Sequence, residues 1–139
     1  MDDDFYVQVS SNDSISCFSG NVAVDFKIHL KWRMILQGHW VCALTEIHCQ
    51  NPVRKGIKAM CVYSNICDTS IIGDDVAPLM RRIPIQNTTN YEFKNRNYIR
   101  VALSEIGMIH IYIKTDRYKG MRIAGAVNCT LHFKRIRSM

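Results

Sequence analysis

The run Ala126 to Lys134 restricts the fold more than any other stretch of this chain. Val127, Cys129, Leu131 and Phe133 alternate with Asn128, Thr130, His132 and Lys134. That alternation buries one face of a β-strand and wets the other, whereas a helix would scatter the same apolar residues around its circumference. Ile109 to Lys114 alternates in the same way, and the turn formers Asp116, Gly120 and Gly125 lie between the two runs. Together they predict a closing β-hairpin. Val22, Val24, Phe26, Ile28 and Leu30 form a further apolar row against Asp25, Lys27, His29 and Lys31.

Phe5 to Val9 reads as a short strand ended by the turn formers Ser10 to Ser14. His39 to Cys49 is apolar on both faces, with Trp40, Cys42 and Leu44 on one side and Val41, Ala43 and Ile47 on the other. That pattern suits a central or interface strand. Ile57–Val62, Leu79–Ile85 and Tyr98–Leu103 read as extended, separated by turns at Asn51-Pro52, Gly56 and Ile71–Asp75 and by the polar loop Gln86–Asn90. Pro78 and Pro84 disfavour a helix and suit edge positions. The sum is about eight short antiparallel strands with no amphipathic helix, which predicts an all-β fold, a single jelly-roll β-sandwich. One domain over 1–139 is expected, with flexible ends at 1–4 and 136–139.

A chain of 139 residues buries about two thirds of its unfolded surface and needs no staple. No apolar run approaches the roughly 20 residues of a membrane-crossing helix, and Met1-Asp2-Asp3-Asp4 does not resemble a secretory signal. Synthesis in a reducing cytoplasm is expected. The cysteines at 17, 42, 49, 61, 67 and 129 then stay thiols, Cys42 and Cys129 in the core, and the sequons at Asn12, Asn87 and Asn128 stay unmodified. A net charge of +6 favours an acidic partner. Basic residues at Lys27–Arg33, Arg81-Arg82 and Lys94–Arg100 read as solvated faces, while the tail residues Lys134, Arg135 and Arg137 are candidates for a nucleic-acid contact.

Gly73-Asp74-Asp75 reads as a tight turn, since the chain is too short for polymerase machinery. Phosphate-loop, nucleophile-elbow and metalloprotease motifs are all missing. Cys42, His48, Cys49, Cys61 and Cys67 are zinc-ligand types at the wrong spacings, so buried thiols are expected, and neither metal nor cofactor. His29, His110 and His132 fall on polar strand faces, where cross-strand roles are expected; His110 and His132, on the predicted hairpin, are a candidate pair for tuning an interface with pH. Lys31-Trp32-Arg33 and Tyr91–Tyr98 interleave aromatic and basic residues as single-strand nucleic-acid platforms do, although strand aromatics more often fill a core.

Several blocks, in order, carry a resemblance. They are Phe5-Tyr6-Val7; Asn21 through Phe26 to Leu30; Leu36-x-Gly38-x-Trp40-x-x-Ala43-Leu44-Thr45-Glu46-Ile47; and Val62-Tyr63-Ser64-Asn65-Ile66 followed by Ile72-Gly73-Asp74. Pro78 through Ile85, then Ile109-x-Ile111, Thr115-Asp116 and Gly125-x-Val127-x-x-Thr130-Leu131-His132-Phe133-Lys134-Arg135, complete the set. This order resembles the minor capsid, penton-type proteins of Polinton/Maverick elements and adintoviruses. That family carries a long insertion between the Glu46-Ile47 and Val62-Tyr63 blocks; here a short connection stands in its place, and functions of the insertion do not carry over.

The resemblance implies a single jelly-roll structural protein of the virion of a double-stranded DNA virus, assembling as a ring at capsid vertices, with a pentamer favoured and a trimer as the alternative. Such a subunit presents side surfaces to its own copies and to other capsid proteins. Tyr6, Trp40, Val41, Ala43 and Tyr112 are the candidates for that contact, and the basic tail for packaged DNA or an acidic neighbour. No enzyme activity or small-molecule substrate is expected. The competing readings are a trimeric receptor-binding head or co-opted host-interaction module, and a nucleic-acid-binding β-domain.

Overall fold

The computed structural model describes residues 3–52, 56–117 and 119–137. Two antiparallel sheets pack face to face in a sandwich-like all-β arrangement, with no helix among the described residues. The strands are β1 (Asp4–Ser10), β2 (Asp25–Ile35), β3 (His39–His48), β4 (Ala59–Ser64), β5 (Ser70–Ile72), β6 (Asp75–Ala77), β7 (Leu79–Pro84), β8 (Asn90–Glu92), β9 (Ile99–Arg100), β10 (Glu105–Thr115) and β11 (Asn128–Ile136). One sheet runs β1-β11-β3-β8, with β9 also paired to β3; the other runs β2-β10-β4-β7. The small hairpin β5-β6 stands apart, turning at Gly73, whose φ of 62° suits glycine.

The expected closing hairpin does not form. β10 lies between β2 and β4, β11 lies between β1 and β3, and the segment between them crosses from one sheet to the other. Alternation fixes which face of a strand is buried, and both strands bury theirs, but it does not choose the neighbour. Tyr98–Leu103 likewise contracts to β9, while Pro84 sits on the edge strand β7 as its missing N–H requires. Asp4 opens β1 opposite Lys134 and Ile136 closes β11 opposite His39, so strand pairing reaches into both ends that were expected to be flexible. Met1, Asp2, Ser138 and Met139 lie outside the described residues.

Two irregularities decide where side chains point. Thr45 is an extra residue in β3, between Leu44 opposite Leu131 and Glu46 opposite Thr130. This bulge shifts the alternation by one, so Ile47 joins Trp40, Cys42 and Leu44 in the core instead of facing away with Val41 and Ala43. In β2, residues 30–33 stand opposite Gly107 alone. A Cβ on Gly107 would lie 3.6 Å from the Arg33 side chain, an ordinary contact, so the bulge does not depend on glycine there.

The core is the layer between the sheets, filled by Phe26, Ile109, Ile111, Met60 and Met80 from one side and Leu44, Ile47, Leu131 and Phe133 from the other. Phe5 stacks on Phe133 with centroids 5.0 Å apart, and Trp40 tilts against Phe5 at 5.5 Å. Each such side chain contributes about 1.5–3 kcal/mol of burial.

Candidate interaction surfaces

The outer face of the β1 sheet carries a polar network built by strand register. Tyr6, His132 and Ala43 form one cross-strand row. The Tyr6 ring stacks on His132 at 4.4 Å, and Tyr98, from the segment before β9, meets His132 edge-on at 5.8 Å. His132 is 5% exposed, with Nε2 at 2.9 Å from Asp4 Oδ2 and Nδ1 at 2.7 Å from the Tyr98 hydroxyl. Against an ionised Asp4, Nε2–H donates; in the neutral ring, Nδ1 accepts from Tyr98. Arg96 donates to the Tyr6 hydroxyl at 3.1 Å, and hydrogen bonding to Tyr98 and then Tyr6 raises the guanidinium pKa above its ordinary value. The network pins the start of β1 and the 93–98 segment onto β11.

The five residues expected at a subunit contact separate. Trp40 and Ala43 are buried within the subunit, Trp40 in the core between the sheets with its Nε1 donating to Gln37 O at 2.9 Å, and neither reaches the surface. Val41 is half-buried opposite Arg100. Tyr6 is 53% exposed on one sheet, while Tyr112 stacks on Tyr63 at 5.1 Å on the outer face of the other. Tyr6 and Tyr112 therefore belong to different surfaces. The same separation divides the candidate pH pair: His132 meets Asp4 on one outer face, and His110 Nε2 meets Asp25 Oδ1 at 2.6 Å on the opposite one.

The basic tail is tied down. Arg135 donates to Gln37 O at 3.2 Å, lies over the Trp40 ring and faces Asp3; Arg137 pairs with Asp3; Lys134 stands over the Tyr98 ring. Asp3 offsets part of its charge, while Asp4 is taken by His132.

The two ends of the sandwich differ. At the end formed by residues 36–38, 101–104 and the close of β11, Trp32 is 83% exposed, and Ile35, Leu103 and Ile136 are also uncovered. Arg33 pairs with Glu105 at 2.7 Å and Arg100 with Asp68 at 3.8 Å. The β5-β6 hairpin adds the exposed cross-strand pair Ile71 and Val76. At the opposite end, Lys58, Arg117 and Lys119 line a concavity of about 250 Å³ with Gly56, Ile57, Thr115 and Asp116. No family model matches the chain, and no curated protein matches it.

Among the described residues, no three His, Cys, Asp or Glu side chains gather closely enough to hold a metal ion, and no helix is long and apolar enough to cross a membrane. Burial pushes the Cys49 thiol up to about 11 and the Cys67 thiol up to about 12, and raises Cys42 and Cys129 strongly; only Cys17 is exposed. Thiols held protonated this way are packing groups. Sequence reasoning did not find Asp4, Arg96 or Tyr98 as network members, since their partners are distant in the chain. Trp32 was visible through its neighbours Lys31 and Arg33, but its exposure follows from the β2 bulge.

Proposed function

We propose that the chain is a single jelly-roll structural subunit that associates with copies of itself in a closed ring, as a minor capsid protein does at the vertex of a virion. The observation that carries this reading is strand order. With the β5-β6 hairpin set aside and β8 and β9 counted as one broken strand, eight strands remain, ordered 1-8-3-6 in one sheet and 2-7-4-5 in the other. Two Greek keys wound into a double sheet have this connectivity. The sequence resemblance to penton-type proteins supports it independently, and points to five copies over three.

The neighbour's contact is assigned to the apolar end around Trp32, Ile35, Leu103 and Ile136. Four apolar side chains lie uncovered there beside the ion pairs Arg33–Glu105 and Arg100–Asp68, a surface that suits a second copy of this chain. Five of the six thiols are buried packing groups, and His132 and His110 each meet a carboxylate across strands, as in a structural role. The short 49–58 connection, where the family carries its insertion, leaves the shell contact as the function to test. Negative-stain electron microscopy of the purified chain is expected to show closed rings with five-fold averages; fields of single, unassociated particles at micromolar concentration would contradict the reading.

A further inference from the structure

The β5-β6 hairpin presents apolar surface that its own subunit does not use. Ile71 stands opposite Val76 and Ser70 opposite Ala77, so by alternation Ile71 and Val76 share one face of the hairpin while Ile72 and Ala77 share the other. The second face is seated, because Ile72 and Ala77 pack with Cys61, Tyr63 and Leu79 on the outer side of β4 and β7. Ile71 and Val76 are thereby held pointing away from the subunit, 80% and 60% exposed. At the tip stand the exposed carboxylates of Asp74 and Asp75. Asp75 Oδ1 accepts from the Val76 N–H at 2.8 Å, and among the described residues neither aspartate makes an ion pair.

The edge strand β2, on the far side of β10 from β4 and β7, carries the opposite combination. Trp32 and Ile35 are exposed there, and Lys31 beside them is exposed and makes no ion pair among the described residues, while Arg33 is engaged by Glu105. Each patch supplies what the other lacks: apolar side chains with unpaired carboxylates on the hairpin, apolar side chains with an unpaired ammonium on β2. A chain of net charge +6 repels its own copies at long range, so a contact between copies forms most readily where opposite charges meet. Two different patches on opposite sides of one subunit make a head-to-tail contact, which can close into a ring, whereas a self-complementary patch stops at a dimer. We propose that the β5-β6 hairpin of one copy docks on the β2 edge of the next, Ile71 and Val76 against Trp32 and Ile35, with Asp74 and Asp75 toward Lys31. This contact rests on the ring reading above and names the part of the neighbour that covers the apolar end.

Photo-cross-linking tests this with p-benzoylphenylalanine in place of Trp32, which keeps an aromatic ring at that position. The probe chain is mixed with an isotope-labelled parent, so that mass spectrometry separates links between copies from links within one. Links between copies are expected to fall on residues 70–77 of the neighbour. Links to the neighbour's own β2 edge, or none between copies, overturn the proposal. Ile71→Thr with Val76→Thr keeps β-branched residues in the hairpin and is expected to weaken association about tenfold or more. Lys31→Glu is expected to weaken it about two- to fivefold, and adding Asp74→Lys with Asp75→Lys to the same chain to restore it. The cross-link leaves the hairpin unaltered and decides the matter even if the threonine variant loses its β-sheet circular dichroism. Rings whose links fall outside 70–77 remove this contact and keep the ring; links on 70–77 from a parent of subunit mass in light scattering keep the contact and remove the ring.

Discussion

The ends of this sandwich are built from the same strands yet leave opposite surfaces to solvent. One exposes Trp32, Ile35, Leu103 and Ile136 beside the ion pairs Arg33–Glu105 and Arg100–Asp68; the other gathers Lys58, Arg117 and Lys119 around a hollow, and among the described residues none of these three makes an ion pair. The core imposes neither arrangement, because both sheets close on their inner faces regardless of what the connections carry. The difference therefore separates what the fold needs from what it presents: an apolar surface at one end and a basic one at the other.

The sharpest way to break this division is to compare a core residue with an end residue. Phe133→Ala, between the sheets, is expected to cost about 3–5 kcal/mol of unfolding free energy in urea. Trp32→Ser should stay within about 0.5 kcal/mol, since its ring packs on almost nothing in the subunit. A comparable loss at Trp32 would make the apolar end part of the core.

A smaller effect is expected on the outer face of the β1 sheet. His132→Ala leaves the Tyr98 hydroxyl and Asp4 without their partner and is expected to cost about 1–3 kcal/mol, measured the same way. Tyr98→Phe removes one hydrogen bond while keeping the ring, and about 1 kcal/mol is expected. Equality of the two would mean the ring cover, not the network, holds β1 and the 93–98 segment in place.

Subtler still is the thiol contribution. Folding raises buried thiols from an ordinary value of 9.0 to about 11 for Cys49 and about 12 for Cys67. The unfolded chain thus loses these protons first. Stability from this source is complete below pH 9.0 and is lost as pH rises through about 11 and 12. Denaturation midpoints across that range check it, and at neutral pH a maleimide should label Cys17 well before the five buried cysteines.

Much of the fold was legible because period-two alternation is a local signal. Residues 127–134 bury the predicted face, the Phe26–Ile28 row faces the core, and Pro84 lies on an edge. Strand partners were not legible: Ile109–Lys114 and Ala126–Lys134 look like a hairpin, yet each is claimed by two other strands. Bulges escaped for a related reason. One extra residue at Thr45 moves Ile47 inward, and the crowding of residues 30–33 against Gly107 accompanies Trp32 turning out of a row that the pattern points inward. The tail read as a free basic segment because Asp3, which faces Arg135 and Arg137, lies at the other end of the chain.

The account turns on self-association through the apolar end, and light scattering with mass determination tests it directly. The parent chain is expected at five times its 16.1 kDa subunit mass, and Ile35→Asp with Ile136→Asp at the subunit mass with an unchanged β-sheet spectrum. A parent that remains at 16.1 kDa at every concentration, or a double variant that still forms the ring, would contradict it.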